Sequence, residues 1–210
     1  HGGTPADWLR RGLAMVPDAP RAVIGHSFGA NAVLHLLAER GLPASVEAVA
    51  LVAPFFRPPT LKVDWALHTS ALAGVRRIMT AGLRLRLGSR AATLDDDLLA
   101  TMAATVVDRI GPVGFGAFFQ SFAASTDLWL SDVDTPVLVV AGEDDEALRG
   151  ERATALAAAL PIAHFRIRPH YTHFCHVEQV DDVAADLTGF LGLARPAPGP
   201  PTSTALHLIP

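Results

Sequence analysis

Arg21-Ala22-Val23-Ile24-Gly25-His26-Ser27-Phe28-Gly29-Ala30-Asn31-Ala32-Val33-Leu34 is the stretch on which the reading of this chain turns. Residues 21–25 form a short apolar run of strand character. From about Gly29 to Arg40, Val33, Leu34, Leu36 and Leu37 recur at the spacing of a buried helix face, and Gly41 supplies a C-terminal stop. Between them stands Gly25-His26-Ser27-Phe28-Gly29, a G-x-S-x-G. A serine on a sharp strand-to-helix bend has its Oγ lifted clear of the sheet and set at a helix N-terminus, where unpaired N–H groups and the helix dipole favour developing negative charge. Such a bend crowds the backbone, which suits glycine on either side. Ser27 is therefore the candidate nucleophile, and the Phe28 backbone N–H the candidate oxyanion donor. The plainer alternative is a serine N-cap in a glycine-bordered turn; strand before and helix after weigh against it. His26 adjoins the nucleophile on a tight turn and reads as a packing or supporting residue.

Working outward, the same alternation continues. Trp8, Leu9, Leu13 and Val16 repeat at helical spacing over Pro5 to Val16, with Thr4 placed as N-cap and proline at the first helical position. Val46 to Ala53 and Pro136 to Ala141 are apolar, β-branched runs of strand length. A helix is expected from about Ala147 to Leu160, a strand from Ala163 to Arg168 and a last helix from about Glu178 to Leu193. Nearly continuous apolar strands alternating with helices predict an α/β fold, a mostly parallel sheet covered on both faces. The core is expected to comprise residues 1–56 and 135–194.

Residues 57–134 break this rhythm. They read as helices over Leu61–Ala73, Val75–Leu87, Leu94–Ile110 and Val113–Leu128, with Thr93 as an N-cap ahead of Asp95 and Asp96. Without a strand-like run, the segment reads as a helical insertion. Phe115, Phe118, Phe119, Phe122 and Trp129 either wall an apolar substrate pocket or pack the insertion against the core. Arg76, Arg77, Arg84, Arg86 and Arg90 suit a solvated helix face. Residues 195–210 are Pro/Gly/Ser/Thr-rich at first and read as a flexible tail.

Composition narrows the partners. A net charge of −4 and a sequence pI near 6.1 give no electrostatic reason to expect nucleic acid. No unbroken apolar run reaches the roughly 18 to 20 residues of a membrane span, so a soluble protein is expected, and a lone cysteine fits the reducing cytoplasm, which is the expected location. The single Cys175 excludes an internal disulfide and a multi-Cys metal site. His170, His173 and His176 crowd one segment, but no carboxylate or thiolate set stands at ligand spacing, so neither metal nor organic cofactor is expected.

Three motifs, Gly25-His26-Ser27-Phe28-Gly29, Gly142-Glu143-Asp144-Asp145 and His173-Phe174-Cys175-His176-Val177-Glu178, occur in an order that resembles the α/β-hydrolase superfamily in its cap-bearing, esterase-like branch. The resemblance spans roughly Pro5 to Leu193. It implies that the acid is Asp145, with Asp144 as the alternative; that the base is His173, with His170 next in line; that His176 is structural; and that the insertion caps the active site. A solvated acidic turn over residues 143–146, capping the next helix, is the other reading of the aspartates. The resemblance further implies hydrolysis of a carboxylic ester or related small acyl compound through an acyl–Ser27 intermediate. The same fold also serves C–C bond hydrolases and cofactor-free haloperoxidase-like enzymes. His1-Gly2-Gly3 invites comparison with the family's oxyanion loop, but Thr4 to Ile24 leaves room for one helix and one strand, at about 1.5 and 3.3 Å rise per residue. By this comparison the chain is expected to lack the first strands and the second oxyanion donor, and an inactive fragment is the third reading.

Overall fold

The computed structural model describes residues 3–193. In chain order the elements are α1 (Pro5–Ala14), β1 (Ala22–His26), α2 (Phe28–Ala38), β2 (Ala48–Val52), α3 (Trp65–Leu87), α4 (Asp96–Ala124), β3 (Val137–Gly142), α5 (Glu151–Ala159), β4 (His164–Arg168), α6 (Cys175–Glu178) and α7 (Val180–Leu193). They form two compact units. One runs to Phe56 and resumes at Asp127; the other is Arg57–Thr126.

The first unit holds a four-stranded sheet in the order β1-β2-β3-β4, every pairing parallel. The two most apolar strands, β2 and β3, are buried along their whole length and lie in the middle; β1 and β4 flank them and are partly exposed. Because side chains alternate across a strand, each central strand feeds two cores. Val49, Leu51, Val137, Val139 and Ala141 join Leu13, Val33, Leu34, Leu36 and Leu156 on the face of α1, α2 and α5. Ala50, Val52, Leu138 and Val140 face the other way, with Tyr171, Cys175 and Val183. That is why these strands read as unbroken apolar runs: neither face meets water. At the start, Thr4 and Asp7 make a reciprocal capping box around Pro5.

The second unit departs from the expected four helices. The first expected pair is a single helix, α3, because a lone glycine, Gly74, costs helix stability only about 1 kcal/mol and removes no hydrogen bond. The second pair is α4, divided at Gly111, whose φ of 65° breaks the helix just before Pro112. Asp95, not Thr93, caps α4, accepting from the Asp97 N–H; Thr93 lies in a 3-10 turn and donates to the Arg90 carbonyl. Residues 127–134, read from the sequence as part of the insertion, contribute Leu130 to the sheet core, so this unit ends at Thr126. Asp96–Asp127 is, by length and composition alone, apolar enough to cross a membrane, a candidate the sequence reading did not register because Gly111-Pro112 split it in two. The tail expected over 195–210 lies outside the described residues.

Candidate active site

In a parallel sheet the strands all end on one edge, and loops leaving that edge converge. Ser27 follows β1, Asp145 follows β3 and His173 follows β4, so the topology brings three residues far apart in sequence to the same rim.

The bend at Ser27 is held on both sides. The ladder continues one residue past β1, with the Ser27 N–H donating to the Val52 carbonyl at 2.9 Å. Gly25 is needed for the approach of α2: a Cβ there would stand 2.8 Å from the backbone of Ala30. Gly29 is not needed in this way, since a Cβ at that position meets nothing within 4 Å; the expectation that crowding requires both glycines holds for Gly25 alone. Ser27 itself adopts φ 52° and ψ −119°, a region costly for a residue with a side chain and found where surrounding structure forces it. Phe28 opens α2, so its N–H has no carbonyl within the helix to bind.

Ser27 occupies the N-cap position but makes no capping hydrogen bond. Its Oγ instead donates to His173 Nε2 at 2.8 Å. On the far side of the ring, Nδ1 donates to Asp145 Oδ1 at 3.1 Å and Oδ2 at 3.2 Å. His173 is 6% exposed and Asp145 only 1%. Asp145 Oδ1 also accepts from the Ala147 N–H at 2.9 Å, in a turn whose later N–H groups, from Leu148 and Arg149, bond back to the Asp145 carbonyl. The acidic cluster therefore does not cap the next helix; α5 starts later, after Gly150. Asp144 faces solvent.

The remaining histidines separate by environment. His170 is exposed on a turn, with φ 62°. His176 packs its ring 4.1 Å from that of His26, and burial lowers its pKa, with His173 adding to the effect. His26 donates from Nε2 to the His173 carbonyl at 2.9 Å, and burial draws its pKa down to about 4. Cys175 is fully buried, and its thiol is pushed up to about 11 by burial. Among the described residues no cluster of three or more His, Cys, Asp or Glu could hold a metal ion.

Two supports went unremarked in the sequence. Gly142 lies under the loop after β4, where a Cβ would fall 1.6 Å from the Tyr171 carbonyl oxygen; only the absent side chain lets that loop settle on the end of β3. Asn31, fully buried on the apolar side of α2, bonds both backbone groups of Phe55, donating to its carbonyl at 2.7 Å and accepting from its N–H at 2.9 Å. An amide among Val33, Leu34 and Leu37 was the available signal. In the second unit, Phe115 and Phe119 set their rings edge-on to His68, which stacks on Trp65, and Phe118 stacks on Phe122. Trp129 belongs to the first unit and is 69% exposed.

The family model described as serine aminopeptidase, S33 matches residues 9–180. The chain belongs to this family. Among solved structures, this S33 family member is similar to a bacterial membrane phospholipase A (17% identity, 94% of this chain and 66% of that one, TM-score 0.68). It is similar to the meta-cleavage product hydrolase of Pseudomonas fluorescens IP01 (13%, 93% and 74%, 0.61) and to a thermophilic esterase from Thermogutta terrifontis (18%, 92% and 74%, 0.59). At these identities the likeness establishes the α/β-hydrolase fold. No curated protein matches the sequence.

Proposed function

We propose that this S33 family member is a serine hydrolase that cleaves a small carboxylic ester or related acyl compound, with Ser27 as nucleophile, His173 as general base and acid, and Asp145 as the group that orients and stabilises the base. The observation that carries the reading is the direction of the Ser27 hydroxyl: seated at a helix N-cap, it serves a buried imidazole instead of the helix.

The carboxylate of Asp145 only accepts, so Nδ1 of His173 carries the ring proton and Nε2 presents its lone pair to Ser27. In the first half-reaction Oγ attacks the acyl carbon and its proton passes to Nε2, while the N–H of Phe28 meets the developing oxyanion. The bond to the leaving oxygen breaks as Nε2 returns that proton to it, leaving acyl–Ser27. Water repeats the sequence, losing a proton to Nε2, releasing the carboxylic acid and restoring Ser27.

The test is labelling with a fluorophosphonate, read by intact mass, beside turnover of p-nitrophenyl butyrate. The protein should take up one adduct and Ser27→Ala none, with turnover falling about 10³-fold or more. Undiminished labelling of Ser27→Ala ends the assignment. The family description and the fold likeness to a meta-cleavage product hydrolase place two further probes in the panel: an aminoacyl p-nitroanilide and a β-diketone, whose products distinguish amide and C–C cleavage from ester hydrolysis.

A further inference from the structure

Resting on that reading, we propose that His26 is a positioning residue for the base: its ring holds the main chain of His173 while its sequence neighbour, Ser27, meets the ring of His173. A backbone carbonyl can only accept, so the 2.9 Å contact fixes His26 with its proton on Nε2. The bond joins residues 147 positions apart and holds the main chain of the loop, whereas the bonds from Cys175 N–H to the Thr172 carbonyl, from Phe174 N–H to Thr172 Oγ1 and from Thr172 Oγ1 to Glu178 stay within the loop and the helix that follows it. The anchor is rigid. His26 is the last residue of β1, paired with Val52, and the ladder bond of Ser27 follows directly. Two consecutive residues on one fixed bend thus grip the base at two points, backbone and ring, which removes the loop's freedom to swing the imidazole away from Oγ.

The surroundings suit this role. The ring of His176 backs that of His26 at 4.1 Å, and the rings of His26 and His173 lie 5.1 Å apart. Burial keeps His26 neutral at neutral pH, so it places no positive charge beside the imidazolium that forms on His173. His26 reaches neither Asp145 nor Ser27 Oγ in any hydrogen bond; it acts through the position of His173.

The test compares His26→Ala with His26→Gln in the whole chain, because glutamine offers an N–H at similar reach without a titrating ring. Turnover of p-nitrophenyl butyrate is referred to the number of sites that take up fluorophosphonate, so that a variant that is merely less stable loses sites but keeps its rate per site. A misplaced base should lower kcat per labelled site about 10- to 100-fold in His26→Ala, with KM within about twofold. His26→Gln should recover to within about threefold of the parent. Parent-like kcat per site in His26→Ala, or a His26→Gln variant as slow as His26→Ala, overturns the proposal. So does failure of both to fold, since His26 would then serve the fold and not the base. The Ser27→Ala labelling result is independent of all these outcomes, and it alone decides the nucleophile.

Discussion

Asp144 and Asp145 are chemically identical neighbours, and nothing in their composition separates them. Their surroundings do. Asp144 points into water, where a carboxylate is already well solvated, whereas Asp145 is 1% exposed and meets both the imidazole N–H and the Ala147 N–H. A buried carboxylate persists only when such donors compensate for lost water. Asp145→Asn keeps the shape but no longer dictates the ring tautomer, so kcat for p-nitrophenyl butyrate should fall about 10³- to 10⁴-fold. Asp144→Asn should stay within about twofold, as an exposed acid with no part in the proton path. Equal losses in the two variants would remove Asp145 from its proposed role. At this scale the sequence, with the resemblance, brought Ser27, Asp145 and His173 forward. The bond from His26 to a main-chain carbonyl was not legible, because no residue pattern records which backbone group a ring will find.

The glycines around the site show how elements set geometry. Gly25 allows the first turn of α2 to close onto β1, and Gly142 allows the loop after β4 to cross the end of β3. An added methyl at either place collides with backbone, which cannot swing aside as a side chain would. Gly25→Ala and Gly142→Ala should each destabilise by about 3 kcal/mol or more in urea unfolding. Both should also lose fluorophosphonate labelling, since the first collision displaces the start of the helix that Ser27 precedes and the second the loop that carries His173. Gly29→Ala is the control: with open space at the position and a helix around it, it should be neutral or slightly stabilising, by up to about 1 kcal/mol. A loss of stability there would mean that the bend is tighter than the geometry indicates. The G-x-S-x-G pattern alone treats its two glycines alike; only packing distinguishes them. The same limit produced the misread insertion, where Gly74 passes inside α3 but Gly111 breaks α4. Gly74 is followed by Val75 and Gly111 by Pro112, which lacks the N–H that would continue the helix across the glycine.

Across the whole molecule, the boundary of the sheet-bearing unit is decided by what Leu130 touches. It is 1% exposed and packs with the core around Val137 and Val139. Leu130→Ala should therefore cost about 2 to 5 kcal/mol, while Leu98→Ala, at a side chain 48% exposed, should change stability by less than about 0.5 kcal/mol. Chemical denaturation of both variants checks the contrast, and similar small effects would move residues 127–134 back into the helical unit. What the sequence determined by itself is the class of fold and the order of its parts. Unbroken apolar runs of strand length must be buried on both sides, and helices between them must cross over to keep the strands parallel. Which strand neighbours which, and so which loops share an edge, is a matter of pairing between residues more than eighty positions apart, as for Val49 and Val137. That pairing, made only when the chain closes on itself, is what turns a serine, a histidine and an aspartate scattered over 147 residues into three side chains in contact.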